Sequence, residues 1–190
     1  GLGDVYKRQA LIDANNFYAS CEQSINPYLR NKPVVILSNN DGCIIARSPE
    51  ARALKIRMGT PYFKEKERLN KLGVEVLSSN YSLYGDMSKR LMNLLKNYCE
   101  EIEIYSIDEA FVSTLRPKDK DLHPWARKLR SLIYQNLGIT ITIGIGENKV
   151  RSKIANKLAK NIDSSAGIFD LVGIKDENNY LRKINIDEIW

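Results

Sequence analysis

The chain has 190 residues, of which 43% are hydrophobic, and carries a formal net charge of +6. A chain of this length can bury a substantial core, and the length suggests one domain that could hold an insertion. No apolar run approaches the roughly 18 to 20 residues of a membrane span, and no signal peptide precedes the first strand. We therefore expect a soluble, cytoplasmic protein without a membrane partner. Lys and Arg concentrate at residues 47–71 and 149–160, which favours a polyanionic partner.

The cysteine and histidine content excludes several common kinds of site. The three cysteines, at positions 21, 43 and 99, are odd in number and widely spaced, which indicates neither a disulfide framework nor a zinc site. His123 is the only histidine. A catalytic triad or histidine acid-base scheme would therefore rest on one loop residue, and we assign it no role.

Hydrophobic periodicity predicts alternating strands and helices from Ala10 onwards. Residues 1–9 show no periodicity that joins them to the first strand, so we take them as a vector- or library-derived segment and leave them out of the fold. The predicted elements are, in chain order, strand 10–14, helix 17–29, strand 33–38, strand 43–46, helix 48–55, helix 61–72, strand 74–78, helix 86–99, strand 102–107, strand 109–114, helix 122–137, strand 139–145, helix 148–161 and strand 167–171.

The order of these elements predicts an α+β fold. When the block from about 18 to 79 is set aside, the remaining elements run β-α-β-β-α-β, which is the ferredoxin-like arrangement. The block itself, rich in basic residues, is expected to be a smaller inserted α/β unit.

The strand at 139–145 and the helix at 86–99 carry finer predictions. Isoleucines alternate with Thr and Gly along the strand, so it has an apolar face and a small, polar face. We therefore expect helices to cover the apolar side of the sheet and the other side to be bare. That bare side matters because a strand glycine often marks a place where a ligand or another backbone comes close. Asp86 is expected to cap its helix. Residues 144–149 lack the Walker A pattern and are predicted to form a tight turn into the next helix.

Two acidic segments point to a metal site. Asp108 and Glu109 interrupt what otherwise resembles a pair of buried strands, where uncompensated carboxylates cost several kcal/mol. The pair taken alone fits either a bound cation or a solvated hairpin tip. Asp13 also closes a short apolar strand, and two acidic strand ends can converge in one sheet and share ions. This second acidic segment favours the bound cation. Hard oxygen ligands without nearby His or Cys suit Mg²⁺ or Mn²⁺ better than zinc.

A ferredoxin-like sheet can bring Asp13 close to Asp108 and Glu109. Three carboxylates around two Mg²⁺ ions, with a triphosphate as the remaining ligand, form the arrangement for in-line phosphoryl transfer. The sequence therefore predicts a nucleotidyl-transfer site at this end of the sheet.

Three segments carry a resemblance to a known family. Residues 13–22 (DANNFYASCE), 38–47 (SNNDGCIIAR) and 105–111 (YSIDEAF) resemble motifs of the Y-family translesion DNA polymerases, and the middle segment resembles the UmuC type. Three ordered motifs at family-like separations are far more specific than a single motif. The resemblance covers the chain from about Ala10 to Trp190.

The resemblance implies a metal-binding set. Asp13, Asp108 and Glu109 are expected to hold two Mg²⁺ ions, for which Mn²⁺ can substitute, together with the backbone carbonyl of Ala14. Many family members have a second Asp where Asn15 stands, but the UmuC type carries Asn.

The resemblance also implies a nucleotide-binding set. Phe17 and Tyr18 are expected to contact the incoming nucleotide, with Tyr18 as a steric gate against the ribose 2′-hydroxyl. Arg52 and Lys160 match positions that contact the triphosphate. Without the motifs, Tyr18 would be interpreted as a core aromatic and Lys160 as part of a solvated helix face.

By the same resemblance the chain divides into polymerase subdomains. Residues 10–17 and 80–168 would form the palm, 18–79 the fingers, and 169–190 the start of a helical thumb. The little finger that grips the template and a clamp-binding tail are missing, so we expect a catalytic core fragment.

The function implied is an error-prone, template-directed DNA polymerase that acts in translesion synthesis during the SOS response to DNA damage. Its substrates would be primer-template DNA and dNTPs, and its partners a UmuD-type dimer, a recombinase filament and a sliding clamp. Two alternatives stay open: a palm-fold nucleotide cyclase, which also uses two metals, and an inactive DNA-binding fragment.

Overall fold

The computed structural model describes residues 5–117, 121–172, 174, 177–182 and 184. Its strands are β1 (Val5–Ala14), β2 (Val34–Leu37), β3 (Ile44–Arg47), β4 (Glu75–Leu77), β5 (Glu101–Ile104), β6 (Glu109–Pro117), β7 (Ile141–Gly146) and β8 (Ile168–Asp170). Its helices are α1 (Phe17–Ile25), α2 (Pro49–Ala53), α3 (Tyr62–Lys71), α4 (Tyr81–Tyr98), α5 (His123–Leu137), α6 (Lys149–Asn161) and α7 (Glu177–Leu181). Every predicted strand and helix is present, with shifted ends.

The chain is a mixed α+β fold of two compact units. Unit 1 comprises residues 1–14, 90–136 and 140–190, and unit 2 comprises residues 15–89 and 137–139. A five-stranded sheet, in the order β5-β6-β1-β7-β8, lies in unit 1, and a three-stranded sheet, in the order β3-β2-β4, lies in unit 2. The assignment of palm, fingers and thumb to parts of the chain stays a prediction.

Strand β1 is the centre of the five-stranded sheet because it pairs antiparallel with both β6 and β7. Its residues from Ala10 to Ala14 are all buried. The alternation of side chains in a strand sends Ala10 and Ile12 to one face and Leu11 and Asp13 to the other. Both faces of this part of the sheet are therefore covered.

The first strand begins earlier than predicted. Residues 5–9 belong to β1, and Val5 pairs with Pro117 at the far end of β6. Leaving them out of the fold was wrong, while residues 1–4 lie outside the described residues. The strand was not predicted because its side chains are largely polar. One of them is buried by a distant partner: the Arg8 guanidinium lies 3.4 Å from the Asp170 carboxylate, and these side chains are 7% and 11% exposed, respectively. The pairing neutralises an arginine that the sequence pattern assigns to solvent.

The prediction of a bare sheet face was wrong. All six residues of β7 are buried, because α6 packs directly on the side that carries Gly144 and Gly146. A Cβ atom on Gly144 would lie 2.0 Å from the backbone nitrogen of Asn156, and one on Gly146 would lie 2.6 Å from that of Ser152. These glycines mark the close approach of a helix backbone.

Helix α4 starts five residues before the predicted position, and the prediction that Asp86 caps it was wrong. The helix begins at Tyr81, and the Asn80 side chain accepts a hydrogen bond from the backbone N–H of Leu83 at 3.1 Å. Asn is as good a cap as Asp, so capping preference by itself does not choose between the two positions.

Unit 2 has its own hydrophobic core around the three-stranded sheet. Ser48 fixes the start of α2, since its buried hydroxyl accepts hydrogen bonds from the N–H groups of Val34 and Ala51. The core residues are Val35, Leu37, Ile44, Ala51, Ile56, Leu69 and Val74.

Two sequence expectations about the whole chain can be compared with this structure. No disulfide forms between the three cysteines, all of which are described residues, and Cys21 is buried. Among the described residues, no helix combines the length and the apolar character that crossing a membrane requires.

Candidate active site

The register of β1 brings the three predicted carboxylates to one end of the sheet in unit 1. Asp13 pairs with Glu109 of β6 on one side and with Thr142 of β7 on the other. The backbone N–H of Ala14 donates to the carbonyl of Asp108 at 2.9 Å. Directly paired residues share a face, so Asp13 and Glu109 project to the same side of the sheet.

Asp108 is the last residue of the tight turn that joins β5 to β6, and Glu109 is the first residue of β6. The N–H groups of Tyr105 and Ser106 both donate to the carbonyl of Glu109, at 3.0 and 3.1 Å. The Ser106 hydroxyl donates to Oδ1 of Asp108 at 2.7 Å. The hairpin interpretation is therefore correct for the backbone, but both carboxylates are half-buried, so they are not the fully solvated side chains of an open hairpin tip.

Helix α6 lines the other side of a small cavity of about 100 Å³ that contains Asp13 and Glu109. The Lys160 ammonium lies 2.5 Å from Oδ2 of Asp13, with side chains 39% and 10% exposed, respectively. Lys153 also lines the cavity, and its ammonium lies 4.3 Å from the centre of the Tyr105 ring. Lys160, predicted as a triphosphate contact, therefore binds a carboxylate in this structure.

Sequence reasoning missed Asn156, which holds α6 against the sheet beside Asp13. Its buried side-chain amide donates to the carbonyls of Leu11 and Thr142, at 3.2 and 3.1 Å. A buried polar group needs such partners. Its position four residues before Lys160 on the same helical face was the signal available in the sequence.

Burial and mutual repulsion raise the pKa values of two of these carboxyl groups. The pKa of Glu109 is raised to about 7 by burial first, then by a hydrogen bond with Asp13 and by the negative charges of Asp13 and Asp108, while Lys153 opposes the rise. Burial raises the pKa of Asp108, and the charge of Asp13 adds to this rise, although hydrogen bonding to Ser106 lowers it. Negative charge is therefore crowded at the site, as in many catalytic centres.

This crowding predicts a pH-dependent gain in stability for Glu109→Gln. A carboxyl whose pKa is raised in the folded chain to about 7 from 4.5 keeps a proton that the unfolded chain has lost. Stability therefore falls as the pH rises between these values and stays low above them. We expect the substitution to raise the Tm by a few degrees at pH 8 in EDTA and to change it little at pH 5.

Thermal unfolding followed by circular dichroism at both pH values measures this difference. Glu67→Gln, at an exposed position of α3, is the matched control and should leave both Tm values unchanged. An equal shift of Glu109→Gln at pH 5 and pH 8 would contradict the buried-charge explanation.

The donor set fits a hard divalent cation, although its side chains are engaged elsewhere. Asp13, Asp108, Glu109 and the carbonyl of Ala14 offer only oxygen atoms, which Mg²⁺ and Mn²⁺ prefer. Within the described part of the chain, no group of three or more His, Cys, Asp or Glu is already arranged to hold a metal ion. Oδ2 of Asp13 accepts from Lys160 and Oδ1 of Asp108 accepts from Ser106, so one oxygen of each carboxylate already has a partner.

The remaining predicted site residues lie in unit 2. Phe17 is buried, Tyr18 is half-buried and Arg52 is exposed. The Tyr18 ring stacks on that of Tyr84, with centroids 4.4 Å apart and planes at 14°, and meets Tyr81 edge-on at 6.1 Å. Tyr18 is thus one member of an aromatic cluster whose buried member is Tyr84.

Comparison with known proteins identifies the family. Residues 12–157 match the impB/mucB/samB family. The chain belongs to this family. It is 44% identical over 183 residues to Protein UmuC of Salmonella typhimurium, covering 95% of this chain and 43% of that protein. The resemblance to UmuC-type, Y-family DNA polymerases that the three motifs carry is confirmed.

Less similar relatives and solved structures also match most of this chain. DNA polymerase IV of Metallosphaera sedula is 34% identical over 94% of this chain and 51% of its own length. DinB from Sulfolobus solfataricus has a TM-score of 0.79 at 26% identity, over 95% of this chain and 52% of its own. An insertion ternary complex of Dbh DNA polymerase has a TM-score of 0.78 at 27% identity, over 95% of this chain and 53% of its own. The chain thus spans about half the length of these relatives.

Proposed function

We propose that this chain is the catalytic part of an error-prone DNA polymerase that copies damaged templates during the SOS response, by two-metal nucleotidyl transfer. The observation that carries the proposal is the convergence of Asp13, Asp108 and Glu109 on adjacent strand ends, beside Lys160 of α6. Membership of the impB/mucB/samB family and the relatives named UmuC and DNA polymerase IV support it.

The subdomain assignment forms part of the proposal. The strand order β5-β6-β1-β7, with α4 and α5 as crossovers, is the order expected of a ferredoxin-like palm. Unit 1, which holds the five-stranded sheet, supports the assignment of a palm. Unit 2, which holds the three-stranded sheet, supports the assignment of fingers. We propose that residues 169–190 begin a thumb; residues 173, 175, 176, 183 and 185–190 of this range lie outside the described part of the chain.

In this proposal Asp13, Asp108, Glu109 and the carbonyl of Ala14 would hold two Mg²⁺ ions, with Mn²⁺ as a substitute. When bound, such ions stabilise the charge that develops on the phosphates and lower the pKa of a primer 3′-hydroxyl. Lys160 changes partner from the Asp13 carboxylate to a phosphate oxygen of the dNTP, and Lys153 adds positive charge to the same cavity. Arg52 is proposed as a second triphosphate contact.

The DNA partner is proposed from charge and family together. The net charge of +6 suits contacts to the phosphate backbone, whose binding weakens with salt, while the template base pair selects the nucleotide. By family resemblance the other partners are a UmuD-type dimer, a recombinase filament and a sliding clamp.

Primer extension by the protein that carries this sequence tests the function. Undamaged and abasic templates should both be extended with Mg²⁺ and dNTPs, and the products should stop forming in EDTA. Release of cyclic nucleotide from an NTP without primer would instead support the cyclase. Salt-sensitive DNA binding with no extension, in the presence of the partner proteins, would support the inactive DNA-binding alternative.

Tyr18→Ala is expected to admit ribonucleotides. If the Tyr18 ring excludes the 2′-hydroxyl, its removal should lower the preference for dNTP over rNTP in kcat/KM by roughly tenfold to a few hundredfold, the range for steric discrimination in a pocket. Single-nucleotide insertion with paired dNTP and rNTP substrates measures this preference. Tyr18→Phe keeps the ring that stacks on Tyr84 and should keep the preference. Unchanged discrimination in Tyr18→Ala would remove the gate role.

A further inference from the structure

Unit 1 contains a second, larger cavity, of about 380 Å³, that shares no residue with the carboxylate site. It lies between α5, the start of β7 and residues 165–168. Its volume falls within the range of about 300 to 1,000 Å³ that is typical of small-molecule sites.

The cavity lies on the opposite side of the sheet from the carboxylates. Side chains alternate along a strand, so Ile141, which lines the cavity, and Thr142 project to opposite faces of β7. Thr142 pairs with Asp13 and therefore shares the face of the carboxylate site. A ligand in this cavity would not compete for the carboxylates.

The lining combines cationic, aromatic and apolar groups. Arg127, Arg130 and Tyr134 project from one face of α5 at helical spacing. The buried side chains of Ile141 and Ile168 form the floor of the cavity, and Ala166 is an exposed apolar residue at its edge. Tyr134 is 57% exposed. Among the described residues that line the cavity, none is acidic.

Arg130 is half-buried and has no ion-pair partner among the described residues. Burial lowers the pKa of its guanidinium. Gly167, at φ +74°, leaves space for this group, since a Cβ there would lie 2.7 Å from Nη1 of Arg130. No hydrogen bond or ion pair of Arg127 or Arg130 occurs within the described part of the chain. A half-buried guanidinium gains most from an anion that supplies the missing hydrogen bonds.

We propose that this cavity binds a nucleoside phosphate, with the phosphate on Arg127 and Arg130 and the base against Tyr134. Guanidinium forks match phosphate oxygens in pairs, and an aromatic ring is a stacking surface that accepts any base. The exposed side chains of Tyr134 and Ala166 provide the apolar surface that a base requires and an inorganic anion does not. This inference is independent of the proposed polymerase activity.

Isothermal titration of the protein with AMP, adenosine and inorganic phosphate, in EDTA and without DNA, tests the proposal. We expect AMP to bind saturably and at least tenfold more tightly than either fragment. Arg127→Gln and Arg130→Gln should each weaken AMP binding tenfold or more. Tyr134→Ala should weaken the binding of AMP and leave that of inorganic phosphate unchanged.

Lys128→Gln is the matched control, because it removes one positive charge from an exposed position of α5 outside the cavity. It should leave AMP binding unchanged, and circular dichroism should show that every variant is folded. Equal affinities for AMP and inorganic phosphate would overturn the proposal, as would a loss of AMP affinity in Lys128→Gln equal to that in Arg127→Gln. A loss of AMP binding in Lys160→Gln but not in Arg127→Gln would place the nucleotide in the carboxylate site and would also overturn the proposal.

Discussion

Asp108→Asn is expected to lower primer extension by at least about a thousandfold while leaving primer-template binding nearly unchanged. Two-metal catalysis supplies several kcal/mol of transition-state stabilisation, and each 1.4 kcal/mol corresponds to about a tenfold change in rate. The amide keeps the shape of the carboxylate and can still bond to the Ser106 hydroxyl, which lies 2.7 Å from Oδ1. Loss of activity would therefore report the loss of charge.

Single-turnover extension and fluorescence anisotropy with labelled DNA measure the two quantities separately. Asp13→Asn and Glu109→Gln should behave like Asp108→Asn. The matched control is Asp86→Asn, at an exposed position of α4, which should extend normally. Extension at the unmodified rate in all three site variants would exclude the two-metal assignment.

Gly144→Ala is expected to destabilise the protein by about 3 kcal/mol or more, at the upper end of overpacking effects. The added Cβ would lie 2.0 Å from the nitrogen of Asn156 and 2.4 Å from the carbonyl oxygen of Ser152. Both are backbone atoms of α6, so relief requires the whole helix to move away from β7. That movement would also displace Lys160 from Asp13.

Urea unfolding followed by circular dichroism measures the loss. Gly85→Ala is the matched control, because a Cβ at that position of α4 has no atom within 4 Å. Alanine in a helix interior should stabilise by roughly 0.5 to 1 kcal/mol relative to glycine. A change of less than 1 kcal/mol in Gly144→Ala would contradict the close packing of α6 on β7.

The order of strands and helices could be predicted because the buried elements have clear periodicity. The isoleucines of β7 alternate, and the apolar stripe of α4 includes Met87, Leu91 and Leu95, which are all buried. Element ends were less predictable. Val5–Gln9 was missed because pairing with β6 and the contact from Arg8 to Asp170 compensate a polar sequence, and those partners lie more than 100 residues away.

The face of β7 that carries Gly144 shows why a pattern can be correct and its interpretation wrong. Small residues do mark a close approach, but composition does not say whether a ligand or a backbone approaches. Helix α6 fills that space. The same packing places Asn156 and Lys160 beside Asp13. Helical periodicity predicts only that these two residues lie on a polar face of α6, and it does not predict what that face contacts.

The sequence by itself determined which groups are available: the carboxylates of Asp13, Asp108 and Glu109, the motifs around them, and the family. These could be predicted because residue type and spacing are properties of the sequence itself. The tertiary structure alone decided that Lys160 pairs with Asp13, that the pKa of Glu109 rises to about 7, and that Arg127 and Arg130 line a separate cavity. These properties depend on strand register and helix packing between residues far apart in the chain, which local sequence does not encode.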